Sequence, residues 1–300
     1  MLRKSGGKRI SAAWALTIQA CFISWAAWLP ALLLAERAGF VPLTGARLLE
    51  GGVVPVDRAH VVVLILFVLG SYGPLISGLG ISARLGGTQG VRTLLGRMAL
   101  WRLPGRWYAV ALLLPVAITL PAIVVALVTG GAAAAPAAHP GLAALVLLFH
   151  LVTVATGEFG WRGVALALAQ RRTTAEQASY LVAIMWVLWM LPYVAALYIG
   201  SPVGTTLPLH LIGWGIYLVG ASVILTWLYN NTSSLWLCML YNAVALTLWT
   251  VATTFLSWPS LSQMVLGLTS WLVALLLVRR YGAATLKGAD GGEAARARRR

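Results

Sequence analysis

The stretch WYAVALLLPVAITLPAIVVALV, residues 107–128, has no charged side chain and decides the class of fold. A helix of about 20 apolar residues is long enough to cross the hydrocarbon core of a bilayer. Seven further apolar stretches are predicted to be membrane helices: 12–34, 61–81, 141–170, 179–199, 209–229, 234–256 and 261–278. The sequence therefore predicts an all-α, polytopic membrane protein with about eight transmembrane helices in one bundle.

The composition of the chain agrees with this class. Of the 300 residues, 60% are hydrophobic and 10% are charged, and the mean hydropathy is +0.86. A soluble domain carries roughly 25% charged residues. Since no polar or low-complexity linker divides the chain, we expect one integral membrane domain.

The positions of the basic residues predict the topology. The net charge is +15, with 22 Lys and Arg residues. If eight helices alternate, all of them fall on one side except Arg37, Arg47 and Arg58. This asymmetry follows the positive-inside rule. It predicts that both termini are cytoplasmic, that the protein is multi-pass in the plasma membrane, and that the basic side attracts membrane lipids and not nucleic acid.

The predicted organisation has four parts. Residues 1–11 form a cytoplasmic N-terminal tail, and residues 12–278 form the transmembrane bundle. Within the bundle, the mixed basic and apolar residues of 84–106 predict an amphipathic segment on the cytoplasmic membrane surface. The basic residues 279–300 predict a disordered cytoplasmic tail.

One pair of ionisable residues stands inside a predicted membrane helix. Glu158 and Arg162 are separated by four residues, so on a helix they share a face and can form an ion pair. Charged residues at this depth are candidates for function. Glu158 is either a general base that activates water, with Arg162 positioning it, or half of a structural ion pair that joins helices. The sequence alone leaves both alternatives open.

Histidine and cysteine positions predict neither a metal site nor a cofactor. His150 lies on the same predicted helix as Glu158, about 80° round and roughly 12 Å along the axis, so we expect it to lie outside a small site around Glu158. No His and carboxylate have the spacing of metal ligands. Cys21 and Cys238 lie in apolar stretches, where small buried side chains are expected.

Aromatic residues on the fifth predicted helix are candidates for a substrate-binding cavity. Trp186 and Trp189 are spaced i,i+3 and are expected to lie beside Glu158. With Trp161 and Met190 they form the candidate substrate-binding set. Packing of the aromatic rings against neighbouring helices is the alternative.

Three ordered segments carry a family resemblance. Residues 157–163, GEFGWRG, resemble the first signature of the CPBP family, which contains CAAX prenyl endopeptidases, bacteriocin-processing proteases and Abi proteins. Residues 183–192, AIMWVLWMLP, look like the second signature, and residues 226–236, TWLYNNTSSLW, look like the approach to the third. The signatures fall within residues 158–250, and the resemblance implies an intramembrane endopeptidase on an eight-helix scaffold.

Most of the polar residues that the resemblance implies are replaced here. Gly157 stands where the first glutamate of the family, the water-activating base, is expected, and Met190 stands in place of a histidine. Asn242 replaces the second histidine, and Leu246 replaces an asparagine. Of the implied catalytic set, Glu158 and Arg162 remain, with Asn242 as a further hydrogen-bond donor.

The substitutions lead to a prediction about function. Hydrolysis of an amide needs a base and donors for the oxyanion, and neither Met190 nor Leu246 supplies them. We expect a CAAX-protease-like membrane protein that lacks normal peptidase activity and has a cavity between the fourth, fifth and seventh helices. This cavity would bind a lipid, a prenyl group or a membrane peptide, for instance in self-immunity or as a partner of another membrane protein. The alternatives are an active endopeptidase with Glu158 as base, and an enzyme of other chemistry on an apolar substrate.

Overall fold

The structure, a computed structural model, describes residues 7–38, 48–49, 58–129, 140–198 and 207–288. Nine helical elements account for nearly all of this part of the chain. They are α1 (Gly7–Ala38), α2 (Arg58–Gly70), α3 (Gly73–Met98), α4 (Gly105–Thr129), the interrupted helix α5 (Ala143–Ala169), α6 (Ala175–Tyr198), α7 (Leu207–Thr232), α8 (Leu235–Phe255) and α9 (Ser260–Tyr281).

The predicted all-α membrane fold is confirmed. Seven of the helices are long and apolar enough to cross a bilayer, and α2 with α3 forms an eighth, bent candidate with an angle of 44°. The bend lies at the turn of Ser71 and Tyr72, directly before Gly73-Pro74 at the start of α3. The ends of the chain, 1–6 and 289–300, lie outside the described residues, so the cytoplasmic location of both termini stays a prediction.

The outer surface of the bundle is apolar. Large hydrophobic side chains such as Phe22, Leu113 and Val128 are more than half exposed on the spanning helices. In water an exposed apolar surface of this extent marks an interaction site. On helices of this length and hydropathy, the exposed side chains are the surface that faces lipid.

Small residues let the helices of the bundle approach closely. A Cβ atom on Gly213 of α7 would lie 2.8 Å from the carbonyl oxygen of Gln263 on α9, and one on Gly267 would lie 2.5 Å from the carbonyl oxygen of Gly213. Glycine at such positions allows backbone-to-backbone packing, which is a common way to join membrane helices. The α7–α9 pair therefore forms a close-packed wall of the bundle.

Most of the predicted amphipathic segment, residues 84–106, forms the second half of α3. Gly87 has φ +58°, a conformation that glycine adopts at little cost. The helix is kinked at this residue and then continues to Met98. In the second half of α3, Leu94 is buried while Leu95 and Arg92 are exposed. This half has one face on the bundle and one face toward its surroundings, as expected of an amphipathic helix.

The predicted continuous helix over 141–170 is wrong in its geometry. The α-helix ends at Val152, a 3₁₀ turn follows over Val154–Gly157, and Trp161–Leu166 form a π-helical turn. The hydroxyl groups of Thr153 and Thr156 donate to the carbonyls of Phe149 and Thr153. Side chains of this kind compete with the backbone hydrogen bonds of a helix and bend it, so the interruption comes at the beginning of the GEFGWRG segment.

The predicted C-terminal tail begins later than residue 279. Helix α9 continues to Tyr281, and the segment 282–288 is fixed by hydrogen bonds. Asn231 Nδ2 donates to the carbonyl of Leu286, and the amide of Ala175 donates to the carbonyl of Ala284. The contact of Ala175 satisfies a backbone amide at the start of α6, and the contact of Asn231 joins the segment to α7. The disorder predicted for 279–300 therefore does not include residues 279–288.

Candidate functional site

Glu158 and Arg162 form an ion pair that is completely buried. Arg162 Nη1 lies 3.3 Å from Oε1 and 3.2 Å from Oε2 of Glu158, and both side chains have 0% exposure. Asn242 on α8 donates from Nδ2 to Glu158 Oε1 over 3.0 Å. We call Glu158, Arg162, Asn242 and Ser222 the Glu158 cluster. It brings together all three residues that the sequence predicted as catalytic.

Arg162 also connects α5 to α6 and α7. Its Nη2 donates to Ser222 Oγ over 3.1 Å, and Ser222 Oγ donates to the carbonyl oxygen of Ser179 over 2.8 Å. Its guanidinium carbon lies 5.0 Å from the centre of the Trp186 ring, within the range of a cation–π contact. The guanidinium group thus joins three helices through hydrogen bonds and an aromatic contact.

Glycines position this cluster against α3. A Cβ on Gly160 would lie 2.4 Å from the carbonyl oxygen of Pro74, and a Cβ on Gly78 would lie 3.0 Å from Gly160 Cα. Two backbones meet here, and neither can move away as a flexible side chain would. The GEFGWRG segment therefore needs glycine at position 160 for packing.

The amphipathic half of α3 contacts the π-helical turn Trp161–Leu166, which contains Arg162 of the ion pair. Arg97 Nη1 donates to the carbonyl oxygen of Gly163 over 3.2 Å and to Tyr229 Oη over 2.7 Å. A π-helical turn leaves carbonyl groups that need other donors. Arg97 was not predicted as a site residue, and its place within a basic surface segment gave no signal for this role.

A separate, narrow cavity lies between five helices. It has a volume of about 30 Å³, enough for one or two water molecules. Its lining comes from α5, α6, α7, α8 and α9: His150, Val154, Met190, Tyr193, Val194, Trp214, Tyr217, Ala245, Leu246, Trp249, Thr250, Gln263 and Leu266. We call it the α5–α9 cavity. Glu158 and Arg162, both among the described residues, lie outside its lining.

Of the four predicted substrate-binding residues, only Met190 lines this cavity. The rings of Trp161 and Trp189 pack edge to face at 5.9 Å, and Trp189 Nε1 donates to Ser24 Oγ on α1. Trp186 lies against Arg162. These three indoles contact neighbouring helices, which is the packing alternative that the sequence left open. The i,i+3 spacing of Trp186 and Trp189 directs them toward α5 and α1.

The four positions where the resemblance implies catalytic groups lie in different surroundings. A Cβ on Gly157 would lie 3.2 Å from Trp161 Nε1 and 3.7 Å from Pro74 Cγ. Asn242 belongs to the Glu158 cluster, whereas Met190 and Leu246 line the α5–α9 cavity. The cavity therefore adjoins positions where the family has polar groups, and here these two positions present apolar side chains.

Two polar residues of the cavity, His150 and Gln263, were not predicted as site residues. Both are buried and line the α5–α9 cavity. His150 is separate from the Glu158 cluster, as the helical spacing predicts, and contacts Thr247 instead. A polar residue in an apolar stretch was the signal available for both, but their common location depends on how α5 packs against α9.

The Glu158 cluster is a buried network in which most polar atoms are paired, while Glu158 Oε2 and Arg162 Nε have no hydrogen-bond partner among the described residues. Glu158 Oε1 accepts from two side chains, and Arg162 makes hydrogen bonds to two further groups of the bundle. Removing one member of such a buried pair is strongly destabilising, because the other charge is left without a partner. Within the described ranges, no group of three His, Cys, Asp or Glu residues could hold a metal ion.

Comparison with known proteins supports the resemblance. Residues 137–248 match the family model described as type II CAAX prenyl endopeptidase, Rce1-like. This match covers α5, α6, α7 and most of α8, and it includes the Glu158 cluster. A search of curated proteins finds no match to the chain. Residues 137–248 are thus similar to the Rce1-like family, and the chain is a multi-pass membrane protein with a CAAX-protease-like region.

Proposed function

We propose that this protein is a non-proteolytic member of the CAAX-protease-like membrane proteins, and that it binds the end of a lipid- or prenyl-type ligand in the α5–α9 cavity. The observation that carries the proposal is the state of Glu158. It is the one glutamate of the family signature that the chain keeps, and it is engaged by Arg162 and Asn242 with no exposed surface.

The position of Glu158 argues against general-base catalysis. A base must reach the water whose proton it takes, at about 2.6–3.2 Å. Glu158 is not part of the lining of the cavity, and its Oε1 already accepts from Arg162 and Asn242. We therefore assign Glu158 and Arg162 a structural role that joins α5 to α6, α7 and α8.

The lining of the cavity supports binding of an apolar molecule. Met190, Val194, Leu246 and Leu266 provide aliphatic walls, and Trp214 provides an aromatic one. Ligand sites combine walls of this kind with a few polar groups. At about 30 Å³ the cavity has room only for a small terminal group of a ligand. The apolar lining makes the end of a lipid or prenyl chain the group that fits it.

The first experiment tests for peptidase activity. Wild type and Glu158→Gln are purified in lipid nanodiscs and incubated with prenylated and leader-type peptides, and products are read by mass spectrometry. We expect no cleavage by either protein. Cleavage by wild type that Glu158→Gln abolishes would overturn the proposal and make Glu158 the base of an active endopeptidase.

The second experiment tests binding. A photoactivatable prenyl lipid is cross-linked to the protein in nanodiscs, and labelled peptides are mapped. We expect labels on α6 and α8 near Met190 and Leu246. Met190→Trp should fill the cavity and reduce labelling by about tenfold, the loss of affinity that corresponds to 1.4 kcal/mol.

A matched control separates the cavity from the outer surface. Ile184 lies on the same helix as Met190 and is 52% exposed, so Ile184→Trp should leave labelling near Leu246 unchanged. Equal labelling in wild type and Met190→Trp would mean that the probe binds only the outer surface, and would contradict binding in the cavity.

A further inference from the structure

Gln263 presents an unpartnered donor at the α5–α9 cavity. Its side chain has no exposed surface, and Oε1 accepts from Trp249 Nε1 over 3.1 Å and from Trp258 Nε1 over 3.0 Å. Because an indole N–H can only donate, the oxygen of the amide must face the two tryptophans. The amide nitrogen is thereby fixed on the other side, and Nε2 has no hydrogen-bond partner among the described residues.

His150 presents the complementary group, an unpartnered acceptor. Its Nδ1 lies 3.0 Å from Thr247 Oγ1, and that hydroxyl donates its hydrogen to the carbonyl oxygen of Ala243. Since a hydroxyl has a single hydrogen, Thr247 must accept from His150, and Nδ1 must be the protonated nitrogen. In the neutral imidazole Nε2 then has a free lone pair, and no described residue donates to it.

The two free groups belong to one cavity. Both His150 and Gln263 are among its lining residues, and His150 is 3% exposed. A buried polar group without a partner is unfavourable, and at membrane depth it is a candidate for function. The remaining walls are mostly apolar or aromatic, so His150 and Gln263 supply an unpaired acceptor and an unpaired donor to a mostly apolar cavity.

From these observations we propose that the cavity recognises the hydroxyl group of an apolar alcohol, such as a prenyl alcohol. The hydroxyl hydrogen is donated to His150 Nε2, and the hydroxyl oxygen accepts from Gln263 Nε2. A single oxygen atom can serve both residues, which fits a cavity of about 30 Å³. The cavity takes the hydroxyl end of the alcohol, and the apolar chain extends beyond the cavity.

The free groups also define which ligands are rejected. A carboxylate and an ether have no hydrogen to donate to His150, and a hydrocarbon satisfies neither residue. Sites built to hydrogen-bond a hydroxyl discriminate strongly against analogues that lack it, because their own polar groups are left unpaired.

This inference rests on the proposed function, because it assumes that the cavity binds an apolar ligand. The experiment uses the full chain in lipid nanodiscs and two probes, a diazirine-bearing farnesol and its methyl ether. Labelled residues are quantified by mass spectrometry at matched probe concentrations in the membrane. We expect farnesol to label the lining of the cavity about tenfold more than the ether does.

The outcomes separate the two proposals. Equal labelling of the cavity by both probes would overturn the hydroxyl assignment and leave the binding of an apolar ligand intact. No labelling of the cavity by either probe would contradict both. Preference for the ether would also overturn the assignment, since the ether lacks the hydrogen that His150 accepts.

Variants test the two residues individually. Gln263→Met removes the donor and His150→Phe removes the acceptor, and each should reduce farnesol labelling to the level of the ether. Leu268→Met is the matched control on α9, where the side chain is 53% exposed, and should keep the preference. If a variant fails to fold, the comparison of the two probes on wild type still decides the proposal.

Discussion

Asn242 Nδ2 lies 3.0 Å from Glu158 Oε1, and this hydrogen bond is a direct polar contact between α8 and the interrupted helix α5. Asn242 stands where the resemblance implies a histidine. An amide in this place can donate to the carboxylate without bringing a titrating ring into the bundle. The substituted residue has therefore become part of the network that holds the Glu158 cluster together.

Replacing Asn242 should destabilise the protein. Asn242→Leu removes one of the two donors to Glu158 Oε1 and leaves a buried carboxylate short of a partner, which costs about 1–3 kcal/mol. The free energy of unfolding can be measured by titration of mixed micelles with a denaturing detergent. Leu191→Ala on the exposed surface of α6 serves as the control, and equal stability of both variants would contradict a role of Asn242 in the network.

The ion pair of Glu158 and Arg162 should behave as a unit. Glu158→Leu and Arg162→Met each leave one buried charge alone, and each should lose about 3–5 kcal/mol. The double variant has no uncompensated charge, so it should lose clearly less than the sum of the two single variants. A double-mutant cycle from unfolding measurements checks this, and additive losses would show that the two side chains are independent.

Two glycines on α7 should respond in opposite ways to the same substitution. A Cβ on Gly213 would lie 2.8 Å from the backbone of Gln263, so Gly213→Ala should lose about 1–3 kcal/mol through overpacking. A methyl group on Gly215 would meet no atom within 4 Å, and Gly215→Ala should be neutral or up to about 1 kcal/mol more stable. Thermal unfolding of both variants tests the α7–α9 contact, which equal shifts would contradict.

Arg97 should be more sensitive to substitution than its neighbour Arg92. Arg97→Lys keeps the charge but replaces the planar guanidinium group, whose Nη1 donates to both Gly163 and Tyr229, by an ammonium group on a shorter and more flexible side chain. We expect a loss of about 1 kcal/mol, measured as a lower thermal midpoint. Arg92 is exposed, so Arg92→Lys should leave the midpoint unchanged, and equal effects would place both arginines on the surface alone.

The topology prediction can be checked independently of the site. A reporter that is active only in the cytoplasm, fused to either end of the chain, should be active in both fusions because 19 of the 22 basic residues fall on that side in an eight-helix arrangement. A reporter that is active only outside the membrane should be inactive in both. Opposite results at the two ends would require an odd number of crossings.

The family resemblance was predictable because its signatures are local in sequence. GEFGWRG contains the spacing of Glu158 and Arg162, and that spacing predicted that the two side chains share a helix face and can pair, whereas the pairing itself is seen only in the structure. The substitutions at Gly157, Met190, Asn242 and Leu246 were also visible in the sequence. Their consequences were not, because Asn242 contacts Glu158 across 84 residues while Met190 and Leu246 line a different cavity.

By itself the sequence determined the membrane class, the approximate positions of the helices and the common helix face of Glu158 and Arg162, because hydrophobicity and i,i+4 spacing are properties of neighbouring residues. The tertiary structure decided where α5 is interrupted, which indoles only pack, and that His150 and Gln263 share a cavity. These features depend on the rotation and depth at which the helices pack against one another. The contacts that fix them join residues far apart in the chain: His150 and Thr247, for example, are 97 positions apart. No local pattern specifies such a pairing.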